Sequence, residues 1–285
     1  MKRTSSAISP EPLTDAAEWT VTTLWRDEDY RPFDIVAIRE GYVVAEIGCL
    51  VLLDRSGREL RRRALDSTLS LARWGDSTAV LTWRGVFVVD EETLATRMHT
   101  PVEPLDRAEI LQVTADSKGY FIGSTPVLVS TPGRPLILDR QHSVLYDISQ
   151  TPEPLLDIRQ HIPHGEVLHD ALVEGDDVIV STIRGEDLIG IAGTHVGSLM
   201  PGFGQSITRF VRFGQALVGI AGSKIVLVRD GVVSVIAGRD PDDRVDGPGD
   251  RARFYLPGAR GLLVEGETIL VTDTLNDALR VIRRK

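Results

Sequence analysis

Cysteine is nearly absent from this chain. Cys49 is the single cysteine among 285 residues, so an intrachain disulfide framework is excluded. Disulfides persist mainly in oxidising compartments, and the composition therefore fits a reducing one. Residues 1–12 hold two basic side chains but no apolar segment like that of a secretory signal peptide. We expect a cytoplasmic protein.

The chain also lacks any apolar run near the length of roughly 18 residues that a membrane-spanning helix needs. It lacks a basic stripe, and its formal net charge is −9. A surface of this sign repels the phosphates of nucleic acids and of anionic membranes. We therefore expect neither nucleic acid nor a membrane as a partner. Most of its cations are arginine, a bias that favours a bacterial origin.

Long amphipathic helices are not expected, because no segment keeps an apolar period of 3.6 residues over about 12 residues. Short strands rich in β-branched residues appear instead, bounded by Gly, Asp, Asn or Ser. They recur in sets of four with a spacing of about 34–50 residues, which is typical of β-propeller blades. The six sets lie at residues 34–66, 69–99, 109–159, 167–200, 207–238 and 261–284.

The two ends of the chain complement each other. The sixth set lacks its outermost strand, whereas an additional strand, Trp19–Trp25, precedes the first set. Pairing of this strand with Ala278–Arg283 would close the ring and leave no inner blade edge unpaired. The sequence therefore predicts an all-β fold over residues 17–285, a single six-bladed β-propeller of four-stranded antiparallel blades closed by the N-terminal strand. Residues 1–16 are predicted to be a disordered tail.

One segment resembles a known repeat. Residues 237–282 follow the pattern of an NHL repeat: an AG pair, a DG-containing loop, A-x-F, a proline, a glycine-led strand and V-x-D-x-x-N before a final strand. The matching residues are Ala237–Gly238, Asp246–Gly247, Ala252–Phe254, Pro257, Gly261, Val271–Asp273, Asn276 and Leu279–Ile282. The spacing between the proline and the glycine is longer than in the usual pattern. The resemblance implies an NHL-type six-bladed propeller.

The resemblance does not select a function. NHL propellers and their six-bladed relatives include peptide-amidating lyases, strictosidine-synthase-like enzymes, gluconolactonase-like and paraoxonase-like hydrolases, and non-catalytic interaction domains. It implies only that a site would lie at the mouth of the central channel. The long segment Thr125–Gln141 is predicted to join strands two and three of the third blade over this mouth. We interpret it as an ordered lid, because it contains Pro126, Pro132 and Pro135.

Histidines follow this segment along the chain. His161 and His164 lie in the loop before the fourth set, and His169 lies on its first strand. The unperturbed pKa of histidine is close to neutrality, so these three are predicted to be the catalytic acid and base. Surface or packing roles are the alternative.

Six further side chains are predicted to contact a substrate. Arg84 and Arg184 each follow a second strand in an Arg-Gly turn, where a guanidinium group is suited to grip a carboxylate or a phosphate. The others are predicted to lie at the rim: Glu46, Trp83, His142 and Tyr255.

Acidic side chains also approach the predicted mouth, notably Asp34 and the run Asp27–Asp29. Their spacing does not match a calcium-binding loop, so solvated loop charge is the favoured interpretation. The histidines match no zinc motif. We therefore predict no metal ligand and no cofactor, while calcium or zinc stays an open alternative without a motif to support it.

The chain has no nucleophile elbow, no HExxH sequence, no phosphate-binding glycine loop and no dinucleotide fingerprint. The sequence favours a small-molecule-modifying enzyme of lyase, hydrolase or cyclase type that acts at the channel mouth. The alternative is a non-catalytic scaffold that binds a protein partner on the same face. An enzyme should show a polar-lined pocket, and a scaffold should show a broad exposed apolar patch.

Overall fold

The structure is a computed structural model. It describes residues 16–29, 31–65, 68–82, 84–101, 126–140, 142–150, 152–162, 164, 166, 168–182, 188–192, 195–200, 205–239, 244–256 and 259–285. Six antiparallel sheets form a ring, which confirms the predicted six-bladed β-propeller. None of the helices in these ranges is long and apolar enough to cross a membrane.

Five blades are continuous in sequence, and each runs from its innermost to its outermost strand. Blade one comprises β2 (Pro32–Ala37), β3 (Gly41–Glu46), β4 (Cys49–Asp54) and β5 (Glu59–Ala64). Blade two comprises β6 (Thr68–Trp74), β7 (Ser77–Thr82), β8 (Gly85–Val89) and β9 (Thr96–Pro101). Blade three comprises β10 (Val127–Val129), β11 (Leu136–Asp139), β12 (Val144–Asp147) and β13 (Glu153–Asp157). Blade four comprises β14 (Leu168–Glu174), β15 (Asp177–Thr182), β16 (Leu188–Ala192) and β17 (His195–Ser198). Blade five comprises β18 (Arg209–Phe213), β19 (Ala216–Ala221), β20 (Lys224–Arg229) and β21 (Val232–Ala237).

The sixth blade combines both ends of the described chain. From the inside outward it comprises β23 (Leu262–Glu265), β24 (Thr268–Asp273), β25 (Ala278–Arg284) and β1 (Trp19–Arg26), and the short β22 (Gly247–Pro248) pairs outside β1. Trp19 pairs with Arg284, and Arg26 pairs with Ala278. This pairing confirms the predicted ring closure. Ala16, predicted to belong to the tail, lies in a short 3-10 helix, Ala16–Glu18.

The apolar side chains are buried between blades. Six hydrophobic clusters are present, one for each pair of adjacent blades. In the cluster between blades one and two, for example, Val43 of β3 packs with Leu71 of β6 and Val80 of β7. Both faces of the inner strands are therefore covered, and this explains their nearly continuous apolar sequences.

The predicted lid is wrong. The segment read as a loop over the mouth contains β10 and β11, the two inner strands of blade three, and Val127 pairs with Leu138. Leu128 and Ile137 are buried between blades two and three. The prolines mark strand boundaries, because proline cannot donate to a sheet ladder: Pro126 and Pro135 directly precede the strands, and Pro132 lies in the turn between them. Residues 109–124, which were assigned to these two strands, lie outside the described residues.

Candidate functional site at the channel mouth

The innermost strands β2, β6, β10, β14, β18 and β23 contact one another in succession around the central channel. Each blade runs antiparallel, so the start of its innermost strand, the end of its second strand and the start of its third strand lie at the same end of the channel. We call this end the mouth.

Three innermost strands share a local structural feature at the mouth, a β-bulge followed by a polar residue. β2, β6 and β14 each have a β-bulge, at Phe33, Leu69 and His169 respectively. The residue that follows the bulge accepts a hydrogen bond from the backbone N–H of the next blade's innermost strand. Asp34 accepts from Leu71 at 2.7 Å, Ser70 from Leu128 at 3.2 Å, and Asp170 from Phe210 at 3.2 Å. These polar side chains tie neighbouring blades together.

Three arginines, each from a different blade, also lie at the mouth of the channel. Arg209 starts β18, and its Nη1 donates to the Asp170 carboxylate at 2.9 Å. Arg140 directly follows β11 and is 5% exposed, and its Nε donates to the carbonyl oxygen of Leu168 at 2.9 Å. Arg260 lies two residues before β23, and its Nη1 donates to the carbonyl oxygen of Leu69 at 3.1 Å. We call Asp34, Asp170, Arg140, Arg209 and Arg260 the mouth cluster.

Burial dominates the electrostatics of the mouth cluster. Burial, together with repulsion from Arg260, lowers the pKa of Arg140 to about 9. Burial also lowers the pKa of Arg260 to about 10, with repulsion from Arg209 adding to it and the attraction of Asp34 opposing it. The pKa of Asp34 is raised by burial, although both Arg209 and Arg260 oppose this shift. At Arg209 burial opposes the shift, but the attraction of Asp170 and Asp34 raises the pKa. Burial is thus the main cause of the lowered pKa of Arg140 and Arg260, and repulsion between guanidinium groups adds to it.

His169 lies against this cluster. Arg140 Nη2 donates to its Nδ1 at 3.1 Å, so Nδ1 is an acceptor and the proton of the neutral ring is on Nε2. Burial, and then repulsion from Arg140 and Arg260, lowers the pKa of His169 to about 4. His169 is thus neutral at physiological pH and presents a hydrogen-bond donor. This favours a substrate-binding role over the predicted acid–base role.

His142 forms a different pair. Its Nδ1 lies 2.7 Å from the carboxylate of Asp139, the buried last residue of β11. Blade six has the same arrangement three residues apart, because the Asn276 amide donates to both carboxylate oxygens of Asp273 at 3.0 Å. His142 therefore occupies in blade three the position that Asn276 has in blade six. Its hydrogen bond to Asp139 stabilises the turn. The same carboxylate orients the imidazole, which remains about one-third exposed.

The other predicted catalytic histidines are not part of the cluster. His161 caps the short 3-10 helix Ile158–Gln160, and its backbone N–H donates to Ile158 at 2.9 Å. His164 is exposed in the loop that follows. Among the described residues, no three side chains of His, Cys, Asp or Glu are grouped to hold a metal ion.

Glu46 occupies a buried site in blade one. Its side chain is 0% exposed, and it accepts hydrogen bonds from Arg62 Nη1 and Cys49 Sγ, both at 2.9 Å. Asp27, in the link between β1 and β2, binds the same guanidinium group. Burial raises the pKa of Glu46 to about 7. This position does not suit the predicted substrate contact, because Arg62 holds the carboxylate away from solvent.

The remaining predicted contacts differ in position. Tyr255 is 37% exposed, in the loop before blade six, and its backbone N–H donates to Asp273 at 2.7 Å. Arg84 is exposed in the turn between β7 and β8. Trp83 and Arg184 lie outside the described residues.

Sequence reasoning missed most of the mouth cluster. It did not select Asp170, Arg140, Arg209 or Arg260, and it interpreted Asp34 as solvated, whereas Asp34 is 1% exposed. One signal was available. Asp34, Ser70 and Asp170 are polar residues at the third position of innermost strands and precede apolar residues. The arginines gave no such signal, because they lie at or near strand ends as many surface arginines do.

No protein-family model and no curated protein sequence matches the chain, so NHL membership stays a prediction. Solved structures do resemble it. One is a protein of unknown function from Bacteroides thetaiotaomicron VPI-5482, with 13% identity, coverage of 93% of this chain and 76% of that chain, and a TM-score of 0.69. Another is an auxiliary nutrient binding protein from the same organism, with 12% identity, the same coverage and a TM-score of 0.66. At such identities the likeness shows the propeller fold alone.

Proposed function

We propose that the protein binds a small molecule at the mouth of its channel and modifies it there, in a reaction of lyase, hydrolase or cyclase type. The observation that supports this is the convergence of buried polar and charged side chains from different blades on one end of the channel. Such groups are costly to bury, and their convergence on an opening in the fold is typical of binding sites. The similarity to a nutrient binding protein is compatible with a small-molecule ligand.

In this proposal the residues have separate roles. His169 Nε2 and the arginines of the mouth cluster bind and orient the substrate. His142, held by Asp139, is the group suited to proton transfer, because its ring is oriented on one side and about one-third exposed. Its position on the turn between β11 and β12 places it at the mouth end of blade three.

A non-catalytic scaffold is less well supported by the described surface. Five of the exposed large apolar side chains lie on the outermost strands of blades one to five, one on each blade: Leu60, Met98, Leu155, Val196 and Val232. They are therefore spread around the circumference and do not form the broad patch that a scaffold would present.

The binding site is tested by screening a panel of metabolites for thermal stabilisation of the wild type, His169→Phe and His164→Phe. Blade one has Phe33 at the position of His169, so the fold accommodates an aromatic ring there. Compounds that bind the mouth should stabilise the wild type and the His164→Phe control but not His169→Phe. Equal stabilisation of all three proteins would contradict binding at the mouth.

Catalysis is tested with His142→Asn, which reproduces the Asp–Asn pair of blade six. Turnover of a bound compound, followed by mass spectrometry, should fall by roughly 10²–10⁴-fold at an unchanged melting temperature. Undiminished turnover in this variant would remove His142 from the mechanism.

A further inference from the structure

We infer that the ligand of the mouth is a compact anion, a carboxylate or a phosphate, bound by the guanidinium groups of Arg140 and Arg209. The inference rests on the proposed function and specifies its substrate class. It is argued from the charge and the unused hydrogen-bond donors of the mouth cluster.

Within the mouth cluster, Arg140 donates to the carbonyl oxygen of Leu168 and to His169 Nδ1, and to no carboxylate of the described residues. The carboxylates are already engaged by the backbone. Asp34 accepts from the N–H groups of Ile35 and Leu71, at 2.9 and 2.7 Å. Asp170 accepts from the N–H group of Phe210. A buried positive charge without a full counter-charge is costly, and an anion that enters the mouth would offset this cost.

The arginines also retain donors. Arg209 uses only Nη1, and its Nε and Nη2 donate to no described residue. Arg140 uses Nε and Nη2, and its Nη1 likewise donates to no described residue. The two side chains are 12% and 5% exposed, respectively. Guanidinium groups match the planar or tetrahedral oxygens of carboxylate and phosphate, and hydrogen bonds between charged groups are the strong ones.

The surroundings favour an anion over a neutral or cationic ligand. His169 is neutral and presents its Nε2–H group, a donor that an oxyanion can accept. After burial, a neighbouring guanidinium group is the next cause that lowers the pKa of His169 and of Arg140. Cations placed around these two side chains repel a further cation and attract an anion.

The full-length protein is titrated with sodium phosphate, sodium sulfate and sodium citrate, and with glucose as a neutral probe, at constant ionic strength. Binding is measured by calorimetry and by the melting temperature. Arg140→Gln removes a positive charge that has no carboxylate of the described residues hydrogen-bonded to it. Arg212→Gln is the matched control, since Arg212 is a surface arginine paired with Glu174. Phosphate or citrate should bind the wild type and the control saturably, and should bind Arg140→Gln roughly 10- to 100-fold more weakly.

The same variant gives a second readout. Saturating phosphate should raise the melting temperature of the wild type and of Arg212→Gln, and should raise that of Arg140→Gln much less. An equal rise in all three proteins would contradict the inference. Arg140→Lys, which keeps the charge but loses the planar fork, should bind the anions with intermediate affinity, and it replaces the glutamine variant if that protein does not fold.

The outcomes separate this inference from the proposed function. If neutral compounds bind and lose their effect in His169→Phe, while no anion binds, the anion inference is wrong and the small-molecule site stands. If anions bind the wild type and Arg140→Gln equally, the anion site lies elsewhere and the inference is also wrong. The relative affinities of phosphate and citrate identify the preferred oxyanion.

Discussion

Buried arginines occur in two regions of this propeller, blade six and the mouth cluster, and their charges are matched differently. In blade six, Arg280 is 0% exposed, and Asp273 and Asp246 each lie 2.7 Å from its guanidinium group. The carbonyl oxygens of Val245 and Arg253 accept two further hydrogen bonds. The ring of Phe254 covers the guanidinium group at 4.9 Å. Both terminal nitrogens of Arg280 have partners, two carboxylates among them, and only its Nε donates to no described residue.

The mouth cluster differs, because Arg140 hydrogen-bonds to a carbonyl oxygen and to His169 but to no carboxylate of the described residues. The two regions share the same fold, the same residue type and similar burial. What differs is the presence of matched counter-charges. Full pairing indicates a structural role, since Arg280 ties the loop before β23 to β25, whereas incomplete pairing indicates a binding role.

The largest expected effect is in blade six. Arg280→Gln leaves Asp273 buried without its counter-charge and should lower the free energy of unfolding by about 3–5 kcal/mol. Arg283→Gln, at an exposed position on the same strand, is the control and should have little effect. Chemical denaturation of both variants checks this. A loss no greater in Arg280→Gln than in Arg140→Gln would remove the distinction between the two regions.

A smaller effect should follow from the pH dependence of the mouth. The pKa of His169 is lowered from 6.5 to about 4 on folding, so its contribution to stability is complete above pH 6.5. It is lost as the pH falls from 6.5 to about 4, because the unfolded state binds a proton that the buried ring of the folded state resists. The loss amounts to at most about 3 kcal/mol.

This contribution is measured as the difference in unfolding free energy between the wild type and His169→Phe, at pH values above and below this window. The difference should shift against the wild type as the pH falls. In the Arg140→Gln background the shift should be smaller, since one of the repelling charges is gone. A difference that does not change with pH would show that His169 is not held neutral by the cluster.

The smallest effect is expected for a solvated pair. Arg212 of β18 lies three residues beyond Arg209 and pairs with Glu174, with both side chains 38% exposed. Arg212→Gln should change the free energy of unfolding by only about 0–1 kcal/mol. The same denaturation measurement checks this. A larger loss would mean that exposed ion pairs between innermost strands contribute substantially to the stability of the ring.

Prediction from sequence succeeded where local pattern is sufficient. The strands of blades one, two and five, and the pairing of β1 with β25, follow from apolar strands separated by Gly and Asp turns. The prediction of blade three failed because its inner strands are short and flanked by proline, so a β-hairpin was interpreted as a loop. The NHL-like segment also identified positions where steric contacts require the residue. At Gly261, for example, an added Cβ would lie 2.4 Å from the Thr272 side chain.

The candidate site was less predictable. Histidines were selected because their pKa is near neutrality, yet of the three predicted catalytic histidines only His169 contacts the mouth cluster, and burial there lowers its pKa to about 4. Arg140, Arg209 and Arg260 come from three different blades, and no spacing along the chain relates them. Their importance depends on the residues that surround them in space. Composition and sequence motifs do not show these neighbours.

The alternation of short apolar strands and turns thus establishes the number of blades and the closure of the ring, because blade repeats recur locally along the chain. The charge balance of the mouth is decided only by the tertiary structure. Ring closure brings residues separated by more than a hundred positions, such as Asp34 and Arg209, into one poorly solvated space. Electrostatic interactions depend on distance and burial, and both arise only when the blades close around the channel.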